Sequence, residues 1–201
     1  MTVQPEKSRK LGCIHVLTGE GKGKTTCALG MAMRAAGGGF KVMMIQFLKT
    51  SNRYGELKAA ERLSPDFEIV QMGPECVRLV NEPSADAECT GCMQCHVDPN
   101  NLRVTDLDAA RRGLELAERC LTEKQYDLVI LDELTYAVTF GLVPLEEVES
   151  LLRRKLPDIE VVITGRDAHP LLLDIADYIT EMREVKHPLQ RGEQARKGIE
   201  Y

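Results

Sequence analysis

Short apolar runs recur along this chain at Cys13–Leu17, Val42–Gln46, Phe67–Met72, Leu128–Leu131, Val161–Thr164 and, more weakly, Tyr178–Glu181. Such runs, set off by turn-forming or charged residues, read as strands covered on both faces. Between them apolar residues fall at helical spacing. Thr25–Ala36 is one such stretch. Leu107, Ala110, Leu114, Ala117 and Leu121 mark a second, and Leu145, Val148, Leu151 and Leu152 a third, with Pro144 placed for its first turn. His169–Ala176 is a short fourth. The alternation predicts an α/β fold: a mostly parallel sheet of about six strands with helices on both faces. Ligands of such sheets bind beyond the carboxyl ends of the strands. One stretch breaks the pattern. Gly73–Asn101 is rich in Pro, Gly, Cys and Asp, and a loop of that length points to function. We expect a polar segment at 1–10 and one domain over 11–201 carrying an insertion at about 73–101.

The turn after the first strand carries the strongest chemical signal. Thr18-Gly-Glu-Gly-Lys-Gly-Lys-Thr-Thr26 joins a strand to a helix. Glycines there let backbone N–H groups converge on phosphate oxygens, and the helix start adds the positive end of its dipole. Gly19, Glu20, Gly21, Lys22, Gly23, Lys24, Thr25 and Thr26 are the expected nucleotide contacts. Lys24 reaches phosphate and the Thr25 hydroxyl is placed for Mg²⁺. The common phosphate-loop pattern wants glycine where this chain has Thr18; the tighter form G-x-G-K-G-K-T-T begins at Gly19. The fold expectation sharpens to a P-loop NTPase-like (RecA-like) sheet.

Leu128-Val-Ile-Leu-Asp132-Glu133 reads as a buried strand ending in two carboxylates, the arrangement of a Walker B strand. Asp132 and Glu133 are hard oxygen ligands suited to Mg²⁺, with Mn²⁺ as a substitute. Arg166 follows Val161-Val-Ile-Thr-Gly165 at another strand tip, where it serves either phosphate or an ion pair. Arg34, nine residues after Thr25, lies toward the far end of the first helix, a place for a surface or inter-subunit contact.

Composition narrows the setting. The 26 basic and 31 acidic residues give a net charge of −5, which argues against a nucleic-acid coat. No apolar run approaches the roughly 20 residues that span a bilayer. The polar start MTVQPEKSRK has no signal-peptide core, so a cytoplasmic location is expected. The 7 cysteines then suggest metal or redox use where they cluster. They cluster at Cys89, Cys92 and Cys95, in C-x₂-C-x₂-C spacing, followed by His96. With Cys76 or His96 the set could complete an iron–sulfur or a Zn²⁺ site. Cys13, Cys27 and Cys120 read as small core residues, and His15 as a satisfied core histidine.

Taken together these residues resemble the P-loop class of ATP:corrinoid adenosyltransferases of the cobalamin pathway. The likeness rests on TGEGKGKTT at 18–26, VILDELTYAV at 129–138, GLVPLEEV at 141–148, VVITGRDAH at 161–169 and EMREVKHPLQRGEQARKGIEY at 181–201. It implies transfer of the 5′-deoxyadenosyl group of ATP to the Co(I) of a reduced corrinoid, with release of triphosphate. It implies that residues 21–26 hold the triphosphate in an orientation reversed from that of P-loop kinases. Lys24, Thr25 and Glu133 then carry catalysis; Thr25 and Glu133 ligate Mg²⁺ with Asp132 close behind, and Arg34 contacts phosphates. Glu20 stands where relatives often have Asn. A homodimer and a flavoprotein or ferredoxin reductant are the implied partners. The departure lies on the corrinoid side. Relatives place an aromatic pair, including a tryptophan, after the third strand; this chain has no Trp, and Phe is absent from 73–101. The cysteine loop stands there instead, as a lid or an electron relay. Two other readings fit a phosphate loop with a cysteine cluster: a nucleoside kinase-like phosphotransferase, and an ATP-dependent redox- or metal-sensing switch.

Overall fold

The computed structural model describes residues 12–76, 80, 89, 92 and 94–201. The 1–10 segment and most of 77–93 lie outside the described residues. Six strands, β1 (Ile14–Thr18), β2 (Val42–Phe47), β3 (Phe67–Met72), β4 (Leu128–Asp132), β5 (Glu160–Thr164) and β6 (Tyr178–Glu181), form one sheet in the order β3-β2-β4-β5-β1-β6. Every pairing is parallel. The helices are α1 (Lys24–Gly37), α2 (Gly55–Leu63), α3 (Val104–Thr122), α4 (Leu134–Thr139), α5 (Leu145–Arg154) and α6 (Pro170–Asp174), with a 3₁₀ turn at Pro188–Arg191.

The unbroken apolar strands are explained by two cores, one on each face of the sheet. Val16, Ile45, Phe47, Val129, Leu131 and Ile163 pack on one side with Ala110, Ala117 and Leu121 of α3 and Val148, Leu151 and Leu152 of α5. Leu17, Met44, Ile130 and Val162 face the other side, against Ala28 and Ala32 of α1 and Ala60 of α2. Alternate residues of one strand thus feed opposite cores, as the two-residue period of a strand requires. Close approach of α3 to β2 depends on Gly113, where a Cβ would lie 2.7 Å from the Phe47 ring. At the head of α3, Asp106 accepts from the Arg103 backbone N–H at 2.9 Å and pairs with its guanidinium. Burial works against the Asp106 charge, but these bonds outweigh it and hold the carboxyl below its usual value.

Among the described residues, predicted and observed strands and α-helices agree in kind and in order, with two additions. α2 and α4 have no counterpart in the periodicity. α2 buries Ala60 alone, and α4 has 6 residues, too few for a helical repeat to show. The expected core places of Cys13 and Cys27 are corrected: both are half-buried, and Cys120 alone of the three is buried. His15 is satisfied as expected, bonded to Glu160 Oε1 at 2.6 Å and stacked on Tyr178 at 4.5 Å.

A candidate nucleotide and metal site at the strand ends

The glycine turn joins β1 to α1 at the carboxyl edge of the sheet. Gly19 (φ 94°) and Gly23 (φ 117°) hold the left-handed backbone that glycine adopts freely. Gly21 is required for another reason. Its N–H donates to Met182 O at 2.6 Å, and a Cβ there would meet that oxygen at 2.6 Å. The chain leaving β6 therefore props the turn, with Met182 N–H donating to Thr18 O at 2.7 Å. Lys24 curls back into the turn and donates to Gly19 O at 2.6 Å and Gly21 O at 2.9 Å. Burial, and then the nearby Arg166, push its ammonium below the usual lysine value. Lys22 and Thr26 are exposed.

Asp132 ends the central strand β4 and is fully buried. The parallel register sets Gln46 of β2 directly beside it. Asp132 Oδ1 accepts from Thr164 at 2.6 Å and from Thr25 at 2.9 Å; Oδ2 accepts from Lys49 at 2.7 Å and, more weakly, from Gln46 at 3.4 Å. Its lone pairs are thus occupied. Glu133 differs. Its backbone is left-handed (φ 62°), unusual for a non-glycine residue and a mark of functional strain. Its N–H donates to Thr164 Oγ1 at 3.0 Å, yet its Oε2 is buried without a hydrogen-bond partner among the described residues. Burial, reinforced by Asp132, raises the Glu133 carboxyl above its usual value. An orphaned buried carboxylate oxygen, one residue from a carboxylate that a threonine hydroxyl bonds, is a donor a hard divalent cation takes. Thr25 and Glu133 fit Mg²⁺, with Asp132, bonded on both oxygens, behind them.

Arg166 and Glu20 pair at 2.9 Å, both substantially exposed. Behind them Gly165 (φ 138°) is so close to Thr135 that a Cβ would overlap its Oγ1. Thr135 Oγ1 donates to Arg166 O at 2.6 Å and fixes this strand tip. Arg34 is exposed in the last turn of α1. Ten residues of helix beyond Lys24 put it about 15 Å along α1 from the loop, an outward-facing position. The expected cysteine set gathers around Cys95, whose thiol is raised by burial and by the neighbouring Cys76, Cys89 and Cys92. Cys76 is buried, Cys89 and Cys95 are half-buried, and Cys92 and His96 are exposed. Among the described residues, no three His, Cys, Asp or Glu side chains form a group that could hold a metal ion. The described part of that loop is held by Cys89 N–H donating to Asn52 Oδ1 at 2.9 Å and Arg103 donating to the carbonyls of Gln94 and His96, with Val97 buried in the core, among other contacts.

Sequence reasoning missed Gln46 and Lys49 and did not single out Thr164. Gln46 had a visible signal: an amide inside an otherwise apolar strand must find buried partners. Lys49 had none, since it stands two residues past a strand end.

A parallel sheet with a glycine turn, a buried lysine in that turn and a strand-end carboxylate pair defines a P-loop nucleotide-binding α/β protein. A structure of an ATP synthase subunit, NeqB from Nanoarcheaum equitans, shares this fold with a TM-score of 0.52 at 15% identity, over 87% of this chain and 46% of that one. Residues 10–201 match the family described as ATP:corrinoid adenosyltransferase BtuR/CobO/CobP. The chain is 37% identical to the corrinoid adenosyltransferase of Escherichia coli (strain K12) over 94% of its own length and 86% of that protein. The Salmonella typhimurium corrinoid adenosyltransferase CobA is 36% identical, with 94% and 86% covered, and the Pseudomonas aeruginosa enzyme 31%, with 94% and 84%. The chain belongs to the ATP:corrinoid adenosyltransferase family. None of the helices among the described residues is long and apolar enough to cross a membrane.

Proposed function

We propose that this protein transfers the 5′-deoxyadenosyl group of ATP to the cobalt of a reduced corrinoid. The carrying observation is the buried Oε2 of Glu133, without a hydrogen-bond partner among the described residues, on the residue next to the Asp132 that Thr25 of the glycine turn bonds. In this reading the triphosphate lies in the turn of residues 19–26. Lys24 leaves its two loop carbonyls for phosphate oxygens, and the helix dipole of α1 adds to it. Thr25 and Glu133 hold Mg²⁺ directly, with Asp132 behind them. Bound there, the cation neutralises charge on the leaving polyphosphate. The Co(I) electron pair forms the bond to C5′; the C5′–O bond breaks and its electrons leave with the triphosphate. No proton moves, so no general base is needed, and positioning carries the remaining rate. A flavoprotein or ferredoxin supplies the electron that makes Co(I).

A homodimer accommodates Arg34, whose outward place suits the phosphates of a second copy. The insertion at 73–101, in one domain spanning 11–201, serves as the corrinoid lid, tied to the β2–α2 connection by Cys89 and Asn52. Zinc or an iron–sulfur cluster on its cysteines is a separate matter, settled by elemental analysis of anaerobically purified protein.

The test is incubation with ATP, Mg²⁺ and chemically reduced cobalamin or cobinamide. The expected result is the visible spectrum of the alkylated corrinoid with an equal amount of inorganic triphosphate. Formation of ADP without alkylation would overturn the proposal in favour of phosphoryl transfer.

A further inference from the structure

Two carboxylates stand at the tip of β4, where the proposed function places a polyanion. That juxtaposition is unfavourable unless charge nearby compensates it. The cations of the turn and its rim have other engagements. Lys24 is bound to loop carbonyls, Lys22 pairs with Glu200 at 3.1 Å, and Arg166 pairs with Glu20. Lys49 is placed differently. It reaches in from the segment after β2, on the side of Asp132 away from Thr25. Its ammonium lies 2.7 Å from Asp132 Oδ2, with side-chain exposure of 15% against 0% for Asp132. The Tyr54 ring lies 5.4 Å from the same ammonium. Glu56, at the head of α2, also accepts from the Gln46 amide at 3.2 Å, so this flank carries a third carboxylate.

We propose that Lys49 is a charge-balancing, positioning residue of the nucleotide site. By filling Asp132 Oδ2 it cancels one of the two strand-tip carboxylates and leaves Glu133 alone to face the metal and the triphosphate. Lys49 also fixes the Asp132 carboxylate so that Oδ1 stays aimed at Thr25 and Thr164. This rests on the triphosphate lying in the glycine turn, as proposed above.

Charge balance has a consequence that packing does not. Removing the ammonium makes the site one charge more negative. A bare divalent cation is then attracted more strongly and a bare polyanion more weakly. The two affinities move in opposite directions, whereas loss of a merely structural contact loosens both or neither.

The experiment measures two ligands separately at low ionic strength: Mn²⁺ alone, by electron paramagnetic resonance, and inorganic triphosphate without metal, by calorimetry. In Lys49→Met, triphosphate affinity is expected to fall about tenfold while Mn²⁺ affinity rises about threefold or more. Lys49→Arg, which keeps charge and donors, stays within about twofold of wild type for both. Lys49→Gln, which keeps a donor to Asp132 without the charge, gives the same split as Met and serves if Met does not fold. Parallel loss of both affinities, or no change in either, overturns the proposal. Wild-type protein that binds no triphosphate overturns the site itself and this role with it; wild-type binding with unchanged variants overturns the role alone.

Discussion

Asp132 and Glu133 are adjacent in sequence and opposite in circumstance. The first has donors on both oxygens; the second has an oxygen with none among the described residues. Glu133→Gln is therefore expected to keep nucleotide binding and lower Mg²⁺-dependent turnover by about 10²–10³-fold, the scale of losing one aimed electrostatic group; steady-state kinetics across a Mg²⁺ series checks this. Far from the site, Glu160 accepts from Gly12 N–H at 2.7 Å, Cys13 N–H at 2.9 Å and His15. Burial opposes its charge, but these donors win and its carboxyl lies below the ordinary 4.5. A depressed folded value means the stabilisation is complete above pH 4.5 and is lost as pH falls through that lower value. Glu160→Gln should cost about 1–3 kcal/mol at pH 7, and the gap should close on acidification, as read by urea denaturation at each pH. Residue roles were partly legible. The turn and the acid pair announced themselves by type and spacing. Lys49 did not, because its importance comes from which strand end lies beside β4, a fact of topology and not of local pattern.

Among elements, the glycine turn and the edge strand β6 form one unit. Gly21→Ala must push its methyl into the Met182 carbonyl, so it should destabilise the fold by about 1–3 kcal/mol and weaken triphosphate binding together. Gly30, in the middle of α1, has open space around its position. Gly30→Ala should raise stability by about 0.5–1 kcal/mol with activity unchanged, and calorimetric melting of both variants separates the two cases. Strands and long helices were readable because β1 to β5 each feed two cores and α3 and α5 each show a stripe; β6, exposed throughout, gave only a weak apolar run. α2 was not. Its single buried alanine leaves no stripe, and it is placed by packing on β3 and by the Gln46 amide donating to Glu56.

Across the molecule, distant parts of the sequence converge on the turn. Residues 196–201 fold back so that Glu200 meets Lys22, while Tyr201 accepts from Arg53 at 2.8 Å and stacks on its guanidinium at 4.6 Å. Arg196 and then Lys22 hold the Glu200 carboxyl down at about 2. Glu200→Gln releases Lys22 for anions. Triphosphate should bind a few-fold tighter at low salt, and the gain should vanish as salt screens the exposed charges; titrations at two ionic strengths decide it. This convergence could not be read from local patterns, since nothing in 181–201 announces which loop it will touch. The prop beneath the turn has a wider consequence. β6 is a solvent-facing edge, exposed along its whole length, and such margins fray first. Because its exit carbonyl clasps Gly21, ligand occupancy and edge fraying are thermodynamically linked, and the linkage is reciprocal. Filling the site should slow amide hydrogen exchange around 178–182, and loosening that margin should cost affinity for a ligand it never touches.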